Sequence, residues 1–321
     1  MSAPRVAVVG CGRMGLLRME GALRHGASVV AAYDDDAGAA AALAARAPGC
    51  RTLADPGELD WSGVDAVFVC TPPAARGPVE TRAAREGRAV FVEKPVGLGA
   101  AQVESFRRAA ADGGVLTAVG YMNRYRASVA EAREALRGAP VLGAVGNWVN
   151  ASYAVPWWGR RELSGGPVNE QATHLVDLAR YLVGEVHQVQ AVVTGHPDRP
   201  GTAGSAAVTL EFDGGVLGSL FYSCRATVKE IGFRVFTANG AVRLDGWELA
   251  RVDADAAPGP AAPPADRYQV FHDETAAFLA AVAGGPRDAV RCDLEDAVRT
   301  QQVVDAIHRA AASGRAEPVH A

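Results

Sequence analysis

The chain has 321 residues, of which 49% are hydrophobic, 21% charged and 7% aromatic; this is the make-up of a soluble globular protein with enough chain for two domains of roughly 150 residues. Its 32 Lys+Arg against 36 Asp+Glu leave a net charge of −4, which argues against a nucleic-acid binder that must neutralise many phosphates. No apolar run reaches the roughly 18–20 residues of a membrane helix, and the opening MSAPRVAVVGCGRMG turns to glycine before a signal-peptide core develops, so a cytoplasmic protein with neither membrane nor nucleic-acid partner is expected.

In chain order, β-branched runs at Arg5–Val9, Ser28–Tyr33, Asp65–Cys70, Ala89–Val92 and Val115–Val119 alternate with alanine-rich amphipathic stretches near Arg13–His25, Asp36–Arg46, Ala75–Glu86 and Ala100–Ala111. That alternation predicts βαβ units on a doubly wound parallel sheet, an N-terminal Rossmann domain over residues 1–122. A linking helix at Arg124–Leu136 opens a second domain, 123–321, in which extended runs follow one another: Gly143–Tyr153, Val186–Thr194, Ala206–Phe212, Val216–Cys224, Gly232–Thr237 and Ala241–Leu244. The turns Asp213-Gly214-Gly215 and Asn239-Gly240 favour hairpins, so this is an α+β domain with a large, mostly antiparallel open sheet. Helices at Asn169–Val183, Val270–Val282 and Asp293–Ala312 would cover one face, and Asp255–Asp266, rich in Pro and Ala, is expected to be a mobile surface loop. The five cysteines, Cys11, Cys50, Cys70, Cys224 and Cys292, lack metal-type spacing; they are expected to be reduced packing residues, with no metal bound.

Gly10-Cys11-Gly12-Arg13-Met14-Gly15 is a GxGxxG between the first strand and the first helix. In that context the first glycine makes the tight turn, the second admits a pyrophosphate, the third packs helix on strand, and the amides of the helix start, through Arg13 and Met14, meet the phosphates. Asp34 stands nineteen residues beyond Gly15 at the end of the second strand. A carboxylate there accepts hydrogen bonds from the adenosine ribose and repels a 2′-phosphate, which favours NAD over NADP; Asp35 and Asp36 suit helix capping better. Lys94, at the carboxyl end of the run VFVE, lies where open α/β sheets bind ligands. It could stabilise negative charge on a substrate oxygen, or pair with Glu93 at the surface. If residues 169–183 are helical, Leu175, Leu178, Ala179 and Leu182 form a buried stripe, and Glu170, His174 and Asp177 line another face, placing a carboxylate beside an imidazole. Such a pair suits general acid–base work near neutral pH.

These segments together, GCGRMG, CTPP at Cys70–Pro73, EKP at Glu93–Pro95, GYMNRY at Gly120–Tyr125 and GGPVNEQATH at Gly165–His174, resemble the Gfo/Idh/MocA oxidoreductases, the glucose–fructose oxidoreductase and inositol dehydrogenase group. The resemblance implies nicotinamide-dependent oxidation or reduction of sugars, cyclitols or related alcohols. It also implies a catalytic Lys94 and His174 with Glu170 in support, Glu93 and Lys94 near the cofactor, and Pro95 fixing the strand exit, often through a cis bond. Thr71 and Pro72 would touch the cofactor through their backbone, and Asn123 and Arg124 would join Lys94 and His174 in holding substrate hydroxyls, or else tie the linking helix to the sheet. The chain departs from the family pattern at Glu170, where Asp is commoner, and at Arg76, where His is frequent. Tyr153, Trp157 and Trp158 suit stacking on a sugar ring, packing or subunit contact equally.

The expectation is therefore an NAD-dependent dehydrogenase or reductase of a sugar, aminosugar or cyclitol, assembled as a homodimer or homotetramer through the C-terminal sheet. The abundance of Ala, Gly and Arg fits a GC-rich bacterial genome and specialised metabolism such as antibiotic sugar assembly. Alternatives are an NAD-dependent glycosidase that oxidises transiently and eliminates, a noncatalytic NAD-sensing regulator, and a dehydrogenase of a nonsugar alcohol such as a dihydrodiol.

Overall fold

The alternating pattern of the first half is realised in a computed structural model that describes residues 3–197, 199–252 and 268–319. In order come β1 (Arg5–Val9), α1 (Arg13–Arg24), β2 (Ser28–Tyr33), α2 (Ala37–Ala44), β3 (Arg51–Thr52), β4 (Ala66–Val69), α3 (Pro78–Arg85), β5 (Ala89–Val92), α4 (Glu104–Gly113) and β6 (Thr117–Val119). All six strands are parallel, in the order β3-β2-β1-β4-β5-β6. Val9 pairs with Tyr33 and Val69, Val69 with Val92, and Val92 with Val119. Because the strands end in register, Gly10, Asp34, Cys70, Glu93 and Gly120 all emerge at one edge, outside the carboxyl ends where such sheets bind ligands.

The second half continues with α5 (Ala127–Ala135), β7 (Val141–Ala151), α6 (Arg161–Ser164), α7 (Thr173–Leu182), β8 (Val186–His196), β9 (Arg199–Phe212), β10 (Leu217–Ser223), β11 (Arg225–Thr237), β12 (Gly240–Asp245), β13 (Ala250–Val252), α8 (Gln269–Val282), α9 (Leu294–Ser313) and β14 (Glu317–Pro318). The eight strands run in the order β13-β12-β11-β7-β10-β9-β8-β14, antiparallel except for β7 with β10. The expected hairpins form at Gly214-Gly215, both at positive φ, and at Gly240. Alternate residues such as Trp148, Tyr222, Leu210 and Phe233 turn inward against Leu175, Leu178 and Ile307. The opposite face of the sheet exposes Val145, Val192, Leu217 and Phe221.

The chain divides into two compact units, one of Met1–Met122 with Tyr268–Ala297, the other of Asn123–Arg267 with Val298–Ala321. The return of residues 268–297 to the first unit is absent from a division into 1–122 and 123–321. Its cause is apolar packing: Phe278 of α8 lies edge-on to both Phe68 and Phe91 at 5.5 Å, and Gly21 of α1 lets α8 approach, since a Cβ there would sit 3.2 Å from His272 and Thr275. Helix starts are later than the periodicity suggests. α3 begins only after Pro72-Pro73 and a Gly77 at φ +110, and 3-10 turns occupy Ala100–Val103 and Met122–Tyr125. Three short strands, β3, β13 and β14, escape a period-based reading because two or three residues show no alternation; the Pro318 of β14 is tolerated at the sheet edge. Asp255–Asp266, expected as a loop, lies outside the described residues.

Candidate active site

Each glycine of the first turn is required by what surrounds it. Gly10 has φ +91, and a Cβ on it would lie 2.6 Å from the Cys70 carbonyl carbon and the Thr71 nitrogen; on Gly15 it would lie 2.0 Å from the Gly10 oxygen. Gly12 is different: it is exposed, and no heavy atom lies within 4 Å of its Cβ position. Gly10 and Gly15 therefore close the turn, while Gly12 keeps its outer side clear for an incoming phosphate. α1 starts at Arg13 with no side-chain cap and no acidic residue in its first turn, so its amides remain for an anion. Arg13 is exposed and Met14 half-buried beside them.

Asp34 is fixed by backbone amides at both oxygens, from Cys11 N at 2.6 Å and Asp36 N at 2.9 Å. It is half-buried, and each oxygen keeps a second lone pair for a ribose hydroxyl. Asp36 caps α2 through Gly38 N at 2.8 Å, as its position implied. Asp35 accepts the Tyr33 hydroxyl at 2.6 Å, and that bond pushes the phenol up to about 12. Burial, reinforced by Asp34, raises the Cys11 thiol to about 12, so it stays a protonated packing group. All five cysteines are free.

At the β4 exit the Thr71 hydroxyl is buried without a hydrogen-bond partner among the described residues. A buried unsatisfied hydroxyl is costly, and together with the clear space at Gly12 it fits this edge to a bound dinucleotide. Pro72 follows, half-buried. Arg76, the departure from histidine, is buried and donates to the Val69 carbonyl at 2.7 Å. Burial lowers its pKa and raises that of neighbouring Glu80; Arg76 braces the strand exit.

Glu93 is held from an unforeseen direction. The wholly buried Arg18 of α1 donates Nε to Glu93 at 2.7 Å and Nη2 to Glu274 of α8 at 2.6 Å. Gly120 makes room: a Cβ on it would lie 2.8 Å from Glu93 Oε2. The carboxylate is thus a structural anchor, paired to Arg18 at 2.6 Å, and Lys94, half-buried, follows directly through a cis bond to Pro95.

In the second unit, residues Val168–Ala172 form a π-turn before α7. The helix expected over 169–183 is thus α-helical only from Thr173, its first turn being of the wider i→i+5 kind. Both are buried. Glu170 accepts the Trp158 indole N–H at 2.7 Å, and His174 stacks on Trp148 with centroids 5.1 Å apart and planes 12° from parallel. Trp158, whose role the sequence leaves open, is a buried anchor that also meets Tyr153 edge-on at 5.5 Å; Trp157 packs half-buried on the same core. Tyr222 donates to Gln171 at 2.6 Å. Asp177, expected on a face with Glu170 and His174, takes Arg124 Nη2 at 2.6 Å, with both side chains buried. Arg124 is thereby paired to α7. Asn123 is buried and accepts Arg126 Nε at 3.0 Å. The anchors Arg18 and Trp148 were missed by sequence reasoning; only Arg18 carried a signal, since the helical period places it with Gly15, Met19 and Ala22 on the buried side of α1.

Two family models match the chain: the oxidoreductase family, NAD-binding Rossmann fold, over residues 4–121, and the GFO/IDH/MocA C-terminal domain over residues 140–243. Inositol 2-dehydrogenase 4 of Saccharopolyspora erythraea is 32% identical over 238 residues, covering 68% of this chain and 67% of its own length. Inositol 2-dehydrogenase of Rhizobium meliloti is 27% identical over 295 residues, covering 88% and 89%. The crystal structure of GenD2 from gentamicin A biosynthesis, a complex with NAD, superposes with a TM-score of 0.87 at 24% identity over 100% of this chain and 97% of that one, a likeness of fold.

Proposed function

The chain belongs to the Gfo/Idh/MocA oxidoreductases and is an NAD-dependent enzyme, and on that premise we propose that it interconverts a secondary alcohol and a ketone on a sugar, aminosugar or cyclitol. The observation that carries the reading is the common strand edge of the first unit, where the open glycine turn, Asp34, the unsatisfied Thr71 hydroxyl and Lys94 emerge together. When bound, NAD supplies the hydride acceptor or donor. In the oxidative direction His174 takes the hydroxyl proton, and Lys94 stabilises the charge that develops on the oxygen; in reduction His174 returns the proton while Lys94 holds the carbonyl oxygen. Glu170 supports the imidazole, and Trp158 fixes Glu170. Asp34 selects NAD against NADP by repelling a 2′-phosphate, with Asp35 and Asp36 adding charge beside it.

The polyol class is supported by the inositol dehydrogenases to which the chain is similar. A second copy of the chain would cover the outer sheet face, where Val145, Val192, Leu217 and Phe221 are exposed. Lys94→Ala and His174→Ala test the catalytic assignment: each should lose at least a hundredfold in kcat while NADH fluorescence titration shows unchanged affinity. Full turnover in both variants would refute it.

A further inference from the structure

Lys229 stands where the alternation of β11 calls for an apolar side chain. Ile231, Phe233 and Val235 turn to the inner face, with Ile231 paired to Trp148, and Lys229 precedes Ile231 by two residues, so it shares that face. The ladder breaks here: Arg225 pairs with Ala151 and Glu230 with Val149, so residues 226–229 of β11 stand against residue 150 alone. A bulge of this kind re-aims a side chain. The Lys229 ammonium lies 3.6 Å from the Trp247 ring centroid and 5.7 Å from that of Trp148, and Trp148 is the ring stacked on His174. The two indoles meet edge-on at 6.1 Å. A cation held over an indole is oriented by the quadrupole of the ring.

A second set of donors surrounds the same indole. Arg126 lies 5.5 Å over Trp247 and is 6% exposed. Its Nη1 pairs with Glu248 and its Nε donates to Asn123, while Nη2 is buried with no hydrogen-bond partner among the described residues. The Trp148 indole N–H, on a side chain 2% exposed, likewise lacks an acceptor. Buried donors without acceptors are rare and call for an explanation. An oxyanion offers several acceptor oxygens to such a group and pairs most strongly with charged donors.

We propose that Lys229, Arg126 and Trp148 receive an oxyanionic substituent of the substrate, a carboxylate or a phosphate, and so make acidic sugars better ligands than neutral ones. The proposal rests on the reading that His174 faces the substrate, since Trp148 joins the cluster to that ring. It is tested by calorimetric titration of the NADH-loaded enzyme, which cannot oxidise an alcohol during the measurement, with glucose, glucuronate and glucose 6-phosphate at constant ionic strength. At least one acid binds tenfold or more tighter than glucose, and which one does so separates carboxylate from phosphate. Lys229→Met removes the difference and Lys229→Arg keeps most of it. Equal binding of all three sugars, no saturable binding of either acid, or a preference that persists in Lys229→Met would overturn the proposal. Because the readout is equilibrium binding, an enzyme that binds the acids but transfers no hydride would contradict the catalytic reading and leave this one standing.

Discussion

The Trp158 indole N–H donates to the Glu170 carboxylate at 2.7 Å, with both side chains buried. Here the longer side chain of Glu170, in place of the commoner Asp, is accommodated by a partner twelve residues earlier in the chain. A hydrogen bond to a charged group is worth about 1.5–3 kcal/mol. Trp158→Phe should therefore lower the urea midpoint of the second unit and reduce kcat while leaving NADH affinity unchanged. A variant with wild-type kcat would show that Glu170 needs no anchor.

Arg18 neutralises Glu93 and Glu274 at once, both at 2.6 Å. Removing the cation from a buried ionic group leaves uncompensated charge, at a cost of about 3–5 kcal/mol. Arg18→Met should destabilise the first unit by that order in urea unfolding. Combining it with Glu93→Gln and Glu274→Gln should recover part of the loss, since the buried charges go with it.

Asp34 is held by two amides before any ligand arrives, so its carboxylate is preorganised. Asp34→Ser should weaken NADH binding about tenfold or more and narrow the preference over NADPH, both read by fluorescence titration. An unchanged NADH to NADPH ratio would remove Asp34 from cofactor selection.

Much of the fold is legible in the sequence because its signals are local. The 2- and 3.6-residue periods give the βαβ order, and the spacing of Gly10, Gly12 and Gly15 reflects steric demands within a few residues. What escapes is set by distant partners. Arg18 finds Glu93 75 residues away and Glu274 256 residues away, and no pattern along the chain announces a buried ionic group of that reach. The residues proposed for catalysis, Lys94 and His174, stand out by motif, whereas the rings and cations around His174 do not. Lys229 reads as an ordinary strand lysine until the break in the β11 register is seen, and no local pattern announces that Arg124 is buried against Asp177.

His308 gives the second unit a pH dependence. Burial, with Arg161 nearby, holds its pKa below the usual value, and Asp305 opposes this only in part. With the folded pKa depressed, the unfolded chain binds a proton that the folded chain refuses, so stability rises with pH and falls as pH drops below about 6.5. The midpoint of urea unfolding should therefore fall from pH 7 to pH 5.5, and His308→Gln should flatten that slope. An equally steep slope in the variant would assign it to other groups.

The most direct test of the central claim is product analysis of the purified enzyme with NAD and a panel of cyclitols, hexoses, aminosugars and their acids, following NADH absorbance alongside the organic product. The account predicts one NADH formed for each alcohol converted to its ketone. Release of free sugar from a glycoside with no net NADH, or NAD binding with no turnover on any polyol, would contradict it.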